Sequence, residues 1–246
     1  YSMKFILHIL FILFSIQVTA QNTFTAKYDV AESRRMKVGT KEVEKILKYD
    51  GFLFKKNNTL LTYLKPQYLK EYPKGRIDLP DYHFMTLNMD TLQLITFSIL
   101  DSFYLRSVFN QTDKLQPFCM YYMLGTNKWE ILPETKNILG VTCQRAVMHY
   151  PTPNDLYADI WFNPKIQFGG SDFLGIREAP GLIMEGEMPT NLKKFKMTEY
   201  QINPPVTDAQ MILKELEAPC TPRRGLSAEQ LKANKKRMKI STQVDF

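Results

Sequence analysis

Glu185 and Glu187 stand two residues apart in GLIMEGEM, and on an extended strand that spacing puts both carboxylates on one face, with Cα atoms ~6.5–7 Å apart. Carboxyl groups held side by side in this way can share the acid and base roles of glycoside hydrolysis. Any solvent-facing strand offers the same spacing, so a solvated face is the simpler account of the pair. Nucleophilic and metal chemistry have less material. Beyond the first twenty residues only His83 and His149 remain, and neither lies in an HExxH, a GxSxG or a glycine-rich phosphate loop. A zinc site of two histidines and a cysteine lacks ligand spacing, so no metal and no cofactor is expected. Cys143 and His149 are six apart, which on an uninterrupted strand places them on one face but ~20 Å from each other, too far to act as a couple. Trp129, Trp161, Phe162, Tyr121 and Tyr122 could line an apolar ligand groove in a curved sheet; core packing explains them as well, since aromatic rings bury large areas wherever they fall.

The elements that must carry these residues begin after a targeting segment. Lys4 gives a basic start, Phe5 to Val18 is nearly all apolar, and Val18-Thr19-Ala20 ends in a small residue, the pattern of a secretory leader cleaved after Ala20. Tyr1 and Ser2 stand ahead of Met3, the expected initiator. The apolar run is shorter than the ~20 residues that cross a bilayer, so residues 21–246 are expected to be exported and not membrane-spanning. The 246-residue chain has a formal charge of +7, Lys4 supplying one unit of it. That charge is spread, apart from Lys232 to Lys239, which excludes a concentrated nucleic-acid patch and reads as a solvated helix face. Three cysteines, Cys119, Cys143 and Cys220, allow three pairings for one disulfide in an oxidising compartment, or three unpaired buried thiols.

The dominant period along residues 21–246 is two. Phe24, Ala26, Tyr28 and Val30 share one face of a half-buried strand, and Ala158, Ile160 and Phe162 share one face of another. Gly51 to Lys65 reads as a hairpin turning at Asn57-Asn58, because asparagine tolerates left-handed geometry. Lys70 to Tyr82, with Pro73, Gly75 and Pro80, reads as a loop; Asp90 to Asn110 reads as two strands. Val141 to Tyr150 and Lys193 to Ile202 are further strands, with a Pro151 to Asn154 turn between them. Pro180-Gly181 suits a type II turn in which Gly181 takes φ > 0, after which Leu182 and Met184 face one way and Ile183, Glu185 and Glu187 the other. A capping-box pattern, Thr207 with Gln210, opens an amphipathic helix from about Asp208 to Glu217, and Ser227 with Gln230 opens a second, more polar one. The expected fold is therefore a single β-dominated domain, a curved antiparallel sheet or open barrel, with a helical C-terminal tail from about residue 207.

The motifs KWEIL (128–132), ETKNILG (134–140), CQRA (143–146), DIWFNPKI (159–166) and APGLIMEGE (179–187) follow one another in an order that resembles the GLPGLI family of exported Bacteroidota proteins. The resemblance spans about a quarter of the chain and rests on Trp129, Glu134, Thr135, Lys136, Gly140, Cys143, Ala146, Trp161, Phe162, Pro180, Gly181, Leu182 and Ile183. Glu178-Ala179 stand where the naming motif has Gly-Leu, Gln167 stands where a proline would follow Ile166, and Arg145 replaces a lysine. The resemblance implies export, a β-rich fold and a place in the Gram-negative envelope, in the periplasm or at the outer membrane, and it implies no catalytic residues. The expectation for function is thus non-enzymatic binding of an apolar or peptidic ligand or of an outer-membrane protein. A hydrolase using Glu185 and Glu187, or a purely structural envelope protein, are the alternatives.

Overall fold

The computed structural model describes residues 23–99, 102–111, 114–123, 128–149, 156–166, 171–174, 176–214 and 221–222. The expected leader, the Pro151 to Asn154 turn, Cys220 and the second C-terminal helix fall outside them. The strands are β1 (Thr23–Val38), β2 (Lys41–Lys56), β3 (Thr59–Pro66), β4 (Arg76–Asp78), β5 (Phe84–Thr86), β6 (Gln93–Ile99), β7 (Ser102–Gln111), β8 (Lys114–Met123), β9 (Glu130–Ile138), β10 (Val141–His149), β11 (Leu156–Asn163), β12 (Ser171–Phe173), β13 (Ile176–Ala179), β14 (Leu182–Met188), β15 (Lys193–Ile202) and β16 (Thr221–Pro222). All but four join one sheet in the order β16-β8-β7-β6-β3-β2-β1-β15-β14-β11-β10-β9. It is a curved, open sheet that does not close into a barrel, antiparallel throughout except where β16 lies parallel to β8. Apart from β16, the sheet has two halves, each assembled from strands near in sequence. They meet along a single seam where β1 pairs with β15, Phe24 opposite Ile202.

Alternation puts Phe24, Ala26, Tyr28 and Val30 of β1 into the core, as the sequence pattern requires, together with Ala158, Ile160 and Phe162 of β11. Two hairpins cover this core face. One is β4 with β5, of which β4 falls inside the Lys70 to Tyr82 stretch that sequence alone assigns to a loop and β5 just beyond it. It contributes Ile77 and Met85, and its turn bends at Asp81 and Tyr82, both at positive φ. The other is β12 with β13, whose Phe173 ring stacks on Tyr28 at 3.8 Å between centroids and meets Phe195 edge-on at 5.6 Å. The Tyr28 hydroxyl donates to the Ile183 carbonyl at 2.8 Å, tying β1 to β14 through the interior.

Near the seam the buried Glu32 accepts hydrogen bonds or ion pairs from the Tyr49 hydroxyl at 3.2 Å, Arg34 Nε at 2.5 Å and Lys193 Nζ at 3.3 Å. Burial holds the phenols of Tyr28 and Tyr49 protonated far above the ordinary tyrosine value, and for Tyr49 the Glu32 charge adds to the effect. The unfolded chain surrenders these protons first as pH rises through ~10. Stability that is complete below that pH must therefore fall above it. Chemical denaturation across pH 8–11 should show this decline, and Tyr28→Phe should make it shallower; an equal slope in that variant would refute the assignment.

Two tight turns repay inspection. Asn57, at φ 51°, turns the β2–β3 hairpin, as its residue type suggests. In the β9–β10 hairpin both central residues, Leu139 at φ 52° and Gly140 at φ 78°, have the positive φ that a type I′ turn demands. Glycine accepts this readily, whereas leucine is strained there, and its side chain is exposed. Leu139→Asn should raise stability by about 0.5–1 kcal/mol, measured by denaturant midpoint at constant m, because asparagine tolerates the left-handed region.

The expected helix after Thr207 is shorter than its periodicity suggests. Gln210 does reach back to accept the Thr207 N–H at 2.8 Å, but α1 (Asp208–Met211) is four residues long, and Ile212 is already extended. Packing decides this: Val206 and Met211 lie over Leu61, Ile95 and Phe97 on the face of β3 and β6 opposite the main core, with Leu213 against the same cluster. A straight continuation of the helix would surrender that extended contact. It also explains why β3 reads LLTYL instead of alternating, since β3 is buried on both sides. No helix among the described residues is long and apolar enough to cross a membrane.

Candidate functional site

On the face of the sheet opposite the main core an open groove of about 750 Å³ runs across the seam. Asp29, Lys48 and Gln67 line it from the first half of the sheet; Arg145, Asp159, Trp161, Glu185, Glu187, Lys194 and Lys196 line it from the second. Four acids and four bases thus share one surface. Register produces the arrangement. Trp161 pairs with Arg145 on one side and Glu185 on the other, Glu185 pairs with Lys196, and Lys196 pairs with Asp29, so their side chains emerge in one row across five strands.

Glu185 and Glu187 share a face by regular alternation, opposite Trp161 and Asp159, but the alternation breaks just before them. Phe162 pairs with Ile183 and Trp161 with Glu185, leaving Met184 as the extra residue of a β-bulge. The bulge turns Ile183 inward with Leu182 and Met184, all three fully buried, and releases Glu185 to the groove. The expectation that Ile183 shares a face with the glutamates is corrected accordingly. So is the expected backbone at Gly181, whose φ is not in the positive region; among its neighbours it is Glu178 that takes φ 55°. Gly181 is demanded by proximity instead, since a Cβ there would lie 2.3 Å from the Asn163 carbonyl oxygen and 2.8 Å from the Phe162 ring.

The charges are largely paired. Arg145 grips Asp159 with two hydrogen bonds, Nε to Oδ1 at 3.0 Å and Nη2 to Oδ2 at 2.6 Å, and reaches Glu134 at 3.3 Å. Its hydrogen bonds to Asp159 hold the guanidinium charged well above its usual range. Lys194 pairs with Glu187 at 3.3 Å. Lys136 extends from β9 across β10 and β11 to bond Glu185 Oε1, its ammonium 5.6 Å from the centre of the Trp161 ring. The other oxygen, Glu185 Oε2, is buried with no hydrogen-bond partner among the described residues. Among the described residues Lys48 and Lys196 form no ion pair.

The remaining candidates divide. Cys143 is a free, fully buried thiol whose Sγ lies 3.5 Å from the Val141 carbonyl, and burial raises it above the usual thiol value. Cys143 thus forms no disulfide in this structure, which leaves Cys119 with Cys220 or three unpaired thiols; the side chain of Cys119 and all of Cys220 lie outside the described residues. Thr135, Lys136 and Glu134 sit on the exposed edge strand β9, Ala146 and Leu182 are in the core, Gly140 turns the hairpin, and Pro180 leads into β14. Trp129 packs half-buried against the core just before β9. The proposed aromatic groove is not formed as a unit: Trp161 faces the polar groove while Phe162, its neighbour, is 1% exposed in the core. The side chains of Tyr121 and Tyr122 lie outside the described residues. His83 and His149 are exposed and distant from the groove, and no group of metal-ligating side chains occurs among the described residues.

The groove residues that sequence reasoning misses are Asp29, Lys48, Gln67, Arg145, Asp159, Lys194 and Lys196. Each is polar and, apart from Gln67 just past β3, lies on the outward phase of a strand, a visible signal, but only strand order and register reveal that they adjoin. A smaller, more apolar groove of about 360 Å³ lies beside Phe52, Phe54, Tyr200 and Pro204.

No family model and no curated protein matches the chain. Among solved structures it is similar to PNGF-II in two crystal forms, at TM-score 0.44 in both, with 12% and 11% identity over 89% and 90% of this chain. The chain spans about a third of the length of PNGF-II, 33% and 34% in the two forms. A DUF1329 family protein from Desulfovibrio piger ATCC 29098 aligns at TM-score 0.19 and 10% identity, over 80% of this chain and 92% of that one. Likenesses at this level leave the groove's own chemistry as the guide to function.

Proposed function

We propose that the protein is an exported binding protein of the GLPGLI type, working in the periplasm or at the outer membrane, and that its seam-spanning groove takes an extended peptidic ligand, free or as a segment of an outer-membrane protein. The supporting observation is the composition of the groove: balanced acids and bases in a row across five strands, with the half-exposed indole of Trp161 among them. A surface of that kind offers partners to both the charged side chains and the amides of a peptide, and little to a purely apolar molecule. The leader-like sequence and the family resemblance support export; a mature N-terminus at Gln21 is the expected result of sequencing the native protein.

The second reading, a hydrolase, is favoured by one fact, that Glu185 and Glu187 do open into the same groove. Each is bonded to a lysine, however, which suits binding better than a proton shuttle whose acid must stay protonated at neutral pH. Both readings are tested by titrating the purified chain with panels of charged heptapeptides and of oligosaccharides while assaying for cleavage products. Saturable peptide binding without products, weakened at least about tenfold in Trp161→Ala, supports the binding reading. Product formation that stops in Glu185→Gln and Glu187→Gln would replace it with the hydrolase.

A further inference from the structure

The middle of the row, at Glu185, is built unlike the rest. Its side chain is only 24% exposed, Oε2 is buried without a donor among the described residues, and the indole of Trp161 lies alongside on the paired strand. A buried acceptor left unbonded costs free energy that a donor would recover. A carboxylate beside an aromatic face is the combination that holds an organic cation, by charge on one side and by the ring quadrupole on the other. In this structure the cation is the protein's own: Lys136, from the edge strand β9, bonds Oε1 and hangs over the ring, while its own side chain is 42% exposed. A contact made by a long, half-exposed side chain from an edge strand is weak and readily exchanged.

We propose that Glu185 and Trp161 form a receptor for the ammonium or guanidinium of a basic peptide side chain, and that Lys136 occupies it in the free protein as an internal competitor. Entry of a ligand cation displaces Lys136 and supplies the missing donor to Oε2. The groove then reads a peptide in register, with a basic residue at Glu185 and an acidic one taken by Lys196 on the adjoining strand and by Lys48 across the seam, cations that form no ion pair among the described residues. The proposal rests on the peptide-binding reading and adds to it a specified residue class and a built-in gate.

The test uses the full exported chain and two heptapeptides that differ only at the central residue, lysine or norleucine, with affinities measured by titration calorimetry. The lysine peptide should bind at least about tenfold more tightly, and Glu185→Gln, its folding checked by circular dichroism, should erase the difference. Lys136→Met keeps the aliphatic stem over the ring and removes the ammonium. It should tighten the lysine peptide about tenfold, the gain expected if the free site is self-occupied about nine-tenths of the time, and leave the norleucine peptide unchanged. Equal binding of both peptides to the wild-type chain would overturn the cation receptor and leave the peptide-binding reading standing. Weaker or unaltered lysine binding in Lys136→Met would overturn the gate. Failure of both peptides to bind at all would overturn the inference together with the reading beneath it.

Discussion

Gly181→Ala is expected to lower stability by about 3 kcal/mol or more, nearly as much as Gly181→Val, because the obstruction begins at the first carbon. A Cβ at that position meets the Asn163 carbonyl oxygen at 2.3 Å and the Phe162 ring at 2.8 Å. The carbonyl is backbone and cannot rotate aside, so β11 and β14 must separate, a forced overpacking at the upper end of the usual range. In a domain of this size each kcal/mol moves the melting temperature by about 2–4 °C, and the loss should be plain in a thermal scan. The alanine variant also distinguishes two causes. Were positive φ the requirement, Ala would cost about 1 kcal/mol and Asn still less. A small effect from either would show that strand proximity is not what demands glycine here. Since Glu185 and Trp161 sit on these same two strands, the variant should also weaken any ligand of the groove.

Phe173→Ala should cost about 3–5 kcal/mol, the range for removing a buried phenylalanine whose cavity cannot close. Phe173 is 1% exposed, stacked on Tyr28 and edge-on to Phe195, and its ring tip is the nearest atom to where a Gly51 side chain would lie. It is the principal anchor of a hairpin whose two strands, three and four residues long, belong to no larger sheet. Such a ribbon has no stability of its own. The hairpin is therefore expected to become protease-sensitive in the variant while the twelve-stranded sheet persists. A double-mutant cycle with Tyr28→Phe would leave the ring stack intact and report only the hydroxyl, so near-additivity is the expected result. A loss below about 1 kcal/mol would mean that the hairpin is held by something else.

Local pattern carried the individual strands. Alternation along Phe24 to Val30 and Ala158 to Phe162 marks one buried face because a strand's side chains repeat every two residues, and Lys193 to Ile202 is bounded by the turn before it and the prolines after it. Pattern failed wherever a second body intervened. Leu60 to Leu64 does not alternate because the segment around Met211 covers its outer face. The helix expected to reach Glu217 stops at Met211 for the same contact. Ile183 changes sides because of one inserted residue, Met184, and bulges leave no sure mark in a single sequence. The groove was least legible of all. Glu185 and Glu187 could be picked out as a pair, but Asp29 and Lys196 are distant in the chain and become neighbours only through the seam. The Pro180-Gly181 turn is legible and the reason for its glycine is not, since the sequence shows that a glycine is there and not whether conformation or crowding requires it.

The seam also sets the order in which the molecule can be made. β1 through β8 can pair as each hairpin leaves the ribosome or a translocation pore, and β9 through β15 can do likewise. The central ladder cannot begin until residues near 195 meet residues near 30. Until then β1 and β15 are both open edges, with unpaired backbone groups and apolar side chains exposed. Closing a loop of that length late and between two preformed sheets makes for slow folding and a long-lived sticky intermediate. The rate-limiting event in maturation is therefore expected to be the zipping of one ladder, and a holdase or a short peptide copying β15 should act on the protein at that moment and at no other.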